Sequence, residues 1–321
     1  MKYQLMIGSS RKEGFLPAVE EGVKLTLKRR SNPGKLEFSV LKDSVLNFEE
    51  GSPVGLIVDG VEMFSGFVFT LKRTKDNIID VTAYDQLRYL KNKDYYKYKG
   101  KTATQVVQMI ADDFNLKTGT LEDTGYTIAK RTEDNNSLFD IIESALDLTL
   151  TNSKKMFVLY DDYGKLTLKN IENMKLDSYL VYNESAQDFE YTSSIDEETY
   201  NQVKIVEEDN DSGKRKIYLT KDSSNIQKWG VLQYYDTLSD GENGQTKADT
   251  LLTLYNQVTK KLTIKNAFGD PNVRPGCLIP TLLDLGDVQL KNYMMVENVT
   301  HTFKLDQHTM DLTLVGGGFS A

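Results

Sequence analysis

Hydrophobic positions along this chain keep switching between two periods. Leu36, Phe38 and Val40 alternate with polar residues, the period-two pattern of a half-buried strand. "VGLIVDGVEMFSGFVFTLKR" (54–73) carries strand-forming residues on both sides of Asp59-Gly60, a pair suited to a two-residue hairpin turn with positive φ at both centres. Gly66 in the second arm predicts a bulge or a close backbone approach. "NIIDVTAYD" (77–85) is a further strand. With no helical period between them, these runs predict a small antiparallel barrel or sandwich over residues 1–97.

The period changes in residues 98–185. In "KTATQVVQMIADDFNL" (101–116), Val107, Ile110 and Phe114 fall three and four apart, one face of a helix that Thr102 or Thr104 can cap. "NNSLFDIIESALDL" (135–148) repeats the arrangement. Ser137 and Asp140 resemble a capping box, and Leu138, Ile141, Ile142 and Ala145 form the buried stripe. "KMFVLYDDYGKLTLKN" (155–170) predicts a hairpin around Asp162-Tyr163-Gly164, which completes an α+β module.

From 186 to 321 the pattern returns to sheet. "YNQVKIVEEDNDSGKRKIYLT" (200–220) predicts two strands joined by an acidic turn, and Leu251, Leu252 and Tyr255 mark one amphipathic helix. Four strands follow in "LTIKNAF", "LIPTLL", "YMMVENVTHTFK" and "TMDLTLVGG". The expected fold class is mainly β with an α+β insert: an all-β block at each end, 1–97 and 186–321, around a module at 98–185.

Composition narrows the functional classes. Of 321 residues, 39% are hydrophobic and 27% charged, the balance of a globular protein, and no apolar run approaches the ~18 residues of a membrane span. No secretory signal pattern opens the chain, and a lone Cys277 allows no internal disulfide, as expected of a protein made in a reducing cytoplasm. The net charge of -8 is uneven. Residues 1–97 carry 16 bases and 13 acids, 98–185 carry 10 and 14, and 186–321 carry 13 and 20. Such a chain is a poor match for a nucleic-acid backbone.

Candidate chemistry is sparse. The only histidines, His301 and His308, match no common zinc spacing, and Cys277 between Gly276 and Leu278 resembles a small buried apolar residue. "DNDSG" (209–213) fails as a calcium loop: counted from Asp209 the glycine position is Lys214, and counted from Glu208 the bidentate position is Leu219. Asp112-Asp113 and Asp161-Asp162 are carboxylate pairs, as a glycosidase requires, but adjacent acids at a helix end and a turn are expected to be solvated surface. The expectation is therefore no catalytic, cofactor-binding or metal residue, and no cofactor. "DPNVRPGCLIP" (270–280) holds three of the six prolines. Arg274-Pro275-Gly276 predicts a turn that starts a strand and brings Arg274 to the surface, with Pro280 limiting pairing on one side.

The order of these pieces resembles the XkdQ/YqbQ-like baseplate hub family of contractile phage tails and phage-tail-like bacteriocins. The residues that carry the resemblance are "VDGVEMFSGFV", "VTAYDQLRYLKN", "GKTATQVVQMIADDF", "EDNNSLFDIIESAL" and the segment from Asn272 to Leu314. The family is related to the phage late-control D protein and to VgrG hub domains. The resemblance implies two tandem tail-tube-like β-barrel domains with small modules between them. Three chains would form a homotrimeric, pseudo-sixfold ring joining the tail tube protein to a central spike protein in the baseplate of a particle assembled in the host cytoplasm. Tape measure and LysM-containing baseplate proteins are further implied partners. A tail-associated peptidoglycan hydrolase or cell-wall-binding protein is the competing expectation. Ten acids between Glu184 and Gly213, against Lys204 alone, are expected to contribute to a negative bore.

Overall fold

The computed structural model describes residues 2–8, 14–15, 19–42, 46–73, 75, 77–183, 188–208, 215–238 and 242–316. The first block consists of β1 (Tyr3–Gly8), β2 (Gly14–Phe15), β3 (Val19–Lys28), β4 (Lys35–Leu41), β5 (Pro53–Val58), β6 (Val61–Arg73) and β7 (Ile78–Tyr84). The β5–β6 hairpin closes on the Val58–Val61 pair, with φ of 48° at Asp59 and 86° at Gly60. At Gly66 a Cβ would lie 2.2 Å from the Tyr84 carbonyl oxygen, so the close approach expected there is real and excludes any side chain. Strands run in the order β3-β4-β7-β6-β5-β1-β2. Although β1 and β3 stand far apart in that order, Leu5 and Ile7 share one core with Val23 and Leu25. The sheet therefore curls into a barrel-like layer around an alternating apolar face.

A short 3₁₀ turn (Gln86–Lys91), capped by Asp85, leads into the middle module. Its elements are β8 (Lys93–Thr102), α1 (Ala103–Asp113), β9 (Thr118–Leu121), β10 (Thr127–Ser137), α2 (Leu138–Ser153), β11 (Phe157–Asp161) and β12 (Leu166–Asn170). Both helices begin with full capping boxes, Thr102 with Gln105 and Ser137 with Asp140. Leu138, Ile141 and Ile142 are fully buried with Val107 and Ile110 in the module's own core. The β11–β12 hairpin turns through Tyr163 and Gly164, both at positive φ.

The C-terminal half holds β13 (Val181–Tyr182), β14 (Asp188–Ser194), β15 (Gln202–Glu208), β16 (Arg215–Lys221), α3 (Ser223–Trp229), β17 (Gln233–Thr237), α4 (Gly244–Tyr255), β18 (Thr259–Phe268), β19 (Leu278–Asp284), β20 (Gln289–Lys304) and β21 (Gln307–Gly316). The stretch from 202 to 255 is not part of the large sheet. Strands β16-β15-β17 make a small sheet of their own, with Val203, Ile205, Ala248 and Leu251 packed between it and α4. Buried Lys247 on α4 reaches Asp236 and Glu242 at 2.9 and 3.1 Å. Residues 171–181 pack into the core of the last four strands, and β13 pairs with β19.

The two β blocks are one sheet. The long strand β20 pairs with β19 through its first half and with β3 through its second, from Asn298–Lys28 to Phe303–Val23. Arg29 adds a salt bridge to Glu297 across the seam. The path β14-β18-β21-β20-β3-β4-β7-β6-β5-β1-β2 is thus continuous through both halves.

Leu25 lies fully buried opposite His301 on this seam. Leu25→Ala is expected to cost about 2–5 kcal/mol. Amides of β4 and β21 should lose hydrogen-exchange protection together, because one sheet holds both. Ile141→Asp buries a charge in the middle core and should instead expose α1 and α2 selectively to proteolysis.

Candidate assembly surfaces

The residues with catalytic potential are engaged in structural bonds. His301, fully buried on β20, places Nε2 3.0 Å from the Val273 carbonyl oxygen, so that nitrogen carries the proton. Its Nδ1 then accepts from His308 Nε2 at 2.9 Å. Burial, then the neighbouring His308, pushes His301 down to about 3, and burial pushes His308 down to about 4. Both rings are neutral at pH 7, and they fasten the 269–273 loop to the β20–β21 hairpin. A Cβ at Gly269 would lie 2.1 Å from the His308 ring, which leaves no room for a side chain under it. Cys277 is buried, and burial raises its thiol pKa, the opposite of an activated thiolate.

The 270–280 segment docks the middle module. Cys277 N–H donates to the Arg274 carbonyl, closing the expected turn, and Gly276 has φ of 90°. A Cβ on Gly276 would meet Val158 at 3.0 Å. Arg274 comes to the surface only in part. Its guanidinium lies over the Tyr160 ring and pairs with Asp162 at 3.0 Å, leaving the side chain 20% exposed. Stacking and charge together draw it onto the β11–β12 hairpin. Pro280 stands between two short outer contacts of β19, the Lys175–Leu278 bridge and the pairing of Val181 with Thr281.

The carboxylate pairs divide. Asp112 and Asp113 are exposed, with Asp113 accepting from the Tyr96 hydroxyl. Asp162 is exposed too, but its neighbour Asp161 is not the solvated acid expected. Burial raises Asp161 to about 6 despite the hydrogen bond from Gly164, and its Oδ2 is buried with no hydrogen-bond partner. Asp85, buried with Asp161 beside it, is held well above the usual carboxylate range, although Gly34 and Leu87 N–H both donate to it. The pair sits where the first block, the 3₁₀ turn and the β11–β12 hairpin meet. The calcium-loop reading and the acids Glu184, Asp209 and Asp211 lie outside the described residues. Asp188 and Glu190 are exposed on β14. Glu207 is held by the Tyr218 hydroxyl and Glu208 by Arg215, both within the small sheet.

What remains open are edges. The main path of the large sheet ends at β14 on one side and β2 on the other, and its side branch through β19 ends at β13, each paired on one side only among the described residues. Unpaired strand edges offer backbone donors and acceptors to another chain. Exposed apolar residues lie elsewhere: Tyr182 beside Leu282, and Ile217, Leu219 and Tyr235 on the outer face of the small sheet.

Comparison with known proteins gives this fold its class. The model of the YqbQ-like family matches residues 23–315, and the chain belongs to that family. It is 32% identical over 311 residues to the phage-like element PBSX protein XkdQ of Bacillus subtilis (strain 168), covering 94% of each chain. Its fold is that of phage tail proteins. The 43 kDa tail protein of prophage MuSo2 from Shewanella oneidensis superposes with a TM-score of 0.71 at 11% identity, covering 98% of both chains. The E. coli c3393 protein, a type VI secretion component structurally similar to the T4 tail proteins gp27 and gp5, superposes at 0.59 and 10% identity, covering all of this chain and 77% of its own.

The buried ionisable groups make opposing contributions to acid stability. The histidines have folded pKa values below their unfolded value near 6.5, so their contribution is lost as pH falls from about 6.5 toward 4. Asp161 is raised, so its contribution is present at low pH and is lost as pH rises from about 4 through 6. Asp161→Asn should therefore stabilise the protein at pH 7 by about 1–3 kcal/mol and steepen its loss of stability between pH 7 and 5. Urea denaturation at the two pH values measures both.

Proposed function

We propose that this protein is a non-enzymatic baseplate hub, three copies of which form a pseudo-sixfold ring between a tail tube and a central spike. The observation that carries the reading is the continuous sheet: two curled β halves joined at β20–β3, with one open edge at each end. A threefold ring would pair β14 of one copy with the β1–β2 edge of the next, removing both edges and presenting six similar β blocks. Residues 1–97 and 186–321 would be the tube-like halves, with 98–185 outside the bore and the 202–255 unit a further outer module. The tube and spike proteins are the direct partners in this reading, and tape measure and LysM-containing baseplate proteins are neighbours. The place of action is the tail of a virion or phage-tail-like particle, after assembly in the host cytoplasm. Exposed Asp188 and Glu190 on β14 support a bore that is net negative and does not retain passing DNA.

Light scattering on the protein with its spike should give three copies, and imaging of the particle should show one threefold ring per tail. A dimeric or hexameric hub in the particle, or a bore lined mainly by Lys and Arg, would refute the assignment. His301→Ala, His308→Ala and Cys277→Ala should change stability alone, the last by about 1 kcal/mol. Peptidoglycan cleavage by the purified chain that one of them abolished would restore the hydrolase reading.

A further inference from the structure

The net charge is -8, yet one face of the middle module is basic. On β8, Tyr96 and Tyr98 are buried, so alternation turns Lys93, Tyr95, Lys97 and Lys99 to the opposite side, where all four are exposed. On β10, Lys130 stands directly opposite Lys99, and Thr132 opposite Lys97, both exposed. Cross-strand partners share a face, and like charges placed directly opposite destabilise a sheet. Among the described residues no salt bridge reaches Lys93, Lys97, Lys99 or Lys130. Glu133, the acid of β10 nearest in sequence to this row, is turned inward to Arg131 and Asn136 and is 4% exposed. Exposed Asp134 lies two residues beyond Thr132, yet among the described residues no ion pair ties it to any of the four lysines, and the face keeps an excess of lysine.

The ribbon is also open at its sides. Among the described residues the two-stranded sheet contains only β8 and β10, so each strand has an unpaired outer edge there. An extended segment added there repeats its side chains every two residues, about 6.6–6.8 Å, the same spacing that separates Lys97 from Lys99. Tyr95, 54% exposed, adds an apolar ring within the row. The chemistry favours carboxylates over a nucleic-acid backbone. Arg131, the ribbon's one guanidinium, points inward to Glu133 and Ser144, so no fork is available for a phosphate. The surrounding negative charge opposes a long polyanion.

We propose that the outer face of the β8–β10 ribbon docks an extended, acid-rich segment of a partner protein, laid along the ribbon edge with alternate carboxylates on the lysine ladder. The inference stands apart from the ring and does not depend on three copies assembling. The test uses the full chain and three fluorescent probes followed by anisotropy. The first is a peptide of about 12 residues alternating Glu and Thr, long enough to span the ribbon. The second is its Gln–Thr counterpart, and the third is an oligothymidylate of about 20 nucleotides.

The acidic peptide should bind in a salt-sensitive way, and the neutral peptide and the oligothymidylate should bind roughly tenfold or more weakly. Changing Lys97, Lys99 and Lys130 together to Glu should weaken the acidic peptide by a similar factor. The same three positions changed to Gln provide a second variant if the first does not fold. Lys99→Glu alone should raise the melting temperature, by relieving the Lys130 contact, while weakening the peptide. Failure to bind the acidic peptide, equal binding of the neutral one, or tighter binding of the oligothymidylate would overturn the proposal. So would a Lys99→Glu variant that melts lower with its affinity unchanged.

Discussion

The pairing of β20 with β3 is the constraint on which the rest of the molecule depends. It joins residues near position 25 to residues near position 300 by a ladder that runs from Asn298–Lys28 to Phe303–Val23. Without it the chain would hold two curled β layers on a long tether. With it, each layer covers an edge of the other, and 16-residue β20 serves both. The seam is reinforced at its ends by different chemistry. Arg29 and Glu297 pair at one end, and the clustered rings of His301, Phe303 and His308 fill the other. Neutral histidines suit this place because a charged ring could not be solvated beneath the sheet.

The middle module is held to that sheet by polar contacts as well as apolar packing. Glu143 on α2 accepts from the backbone and hydroxyl of Ser31, and Asp147 accepts from Arg30, both in the β3–β4 turn. Arg274 clamps the β11–β12 hairpin from the C-terminal half, and Asp85 reaches Gly34 from the other direction. Buried Asp85 and half-buried Asp161 reduce stability at neutral pH because each ionised form is poorly solvated. They lie at the junction of three parts of the chain, where the backbone N–H groups of Gly34, Leu87 and Gly164 all need acceptors. A carboxylate meets several such donors at once, which an apolar side chain cannot.

Charge is sorted by surface rather than spread evenly. Acids mark the exposed side of β14, a free edge of the large sheet, and lysines mark the β8–β10 ribbon of the middle module. Both are strand surfaces with an unpaired edge among the described residues. Charged side chains on such edges keep a soluble β protein from pairing indiscriminately while leaving it able to pair with a chosen partner.

Local physics made much of this legible in the sequence. Alternation placed β4 to β7 and the last four strands, the Asp59-Gly60 and Tyr163-Gly164 turns followed from positive φ, and the capping residues Thr102 and Ser137 fixed both helices of the middle module. Each is decided within a few residues, so sequence suffices. The strands β8 and β10 escaped because "KDYYKYKGKT" and "TIAKRTEDNNS" carry too few apolar residues to show a period; their burial comes from α1 and α2 packing on one side. The separation of 202–255 into its own sheet was likewise invisible, since strand patterns do not say which sheet a strand joins. Asp161 and Asp162 look alike in sequence, yet one is half-buried beside Asp85 with a buried Oδ2 and the other is exposed against Arg274. The sequence by itself determined those alternating strands, the turns, the two capped helices and the family. Tertiary structure alone decided that the two β blocks are one sheet, which acids lie buried and which lysines stand together, because each of these depends on neighbours tens to hundreds of residues away.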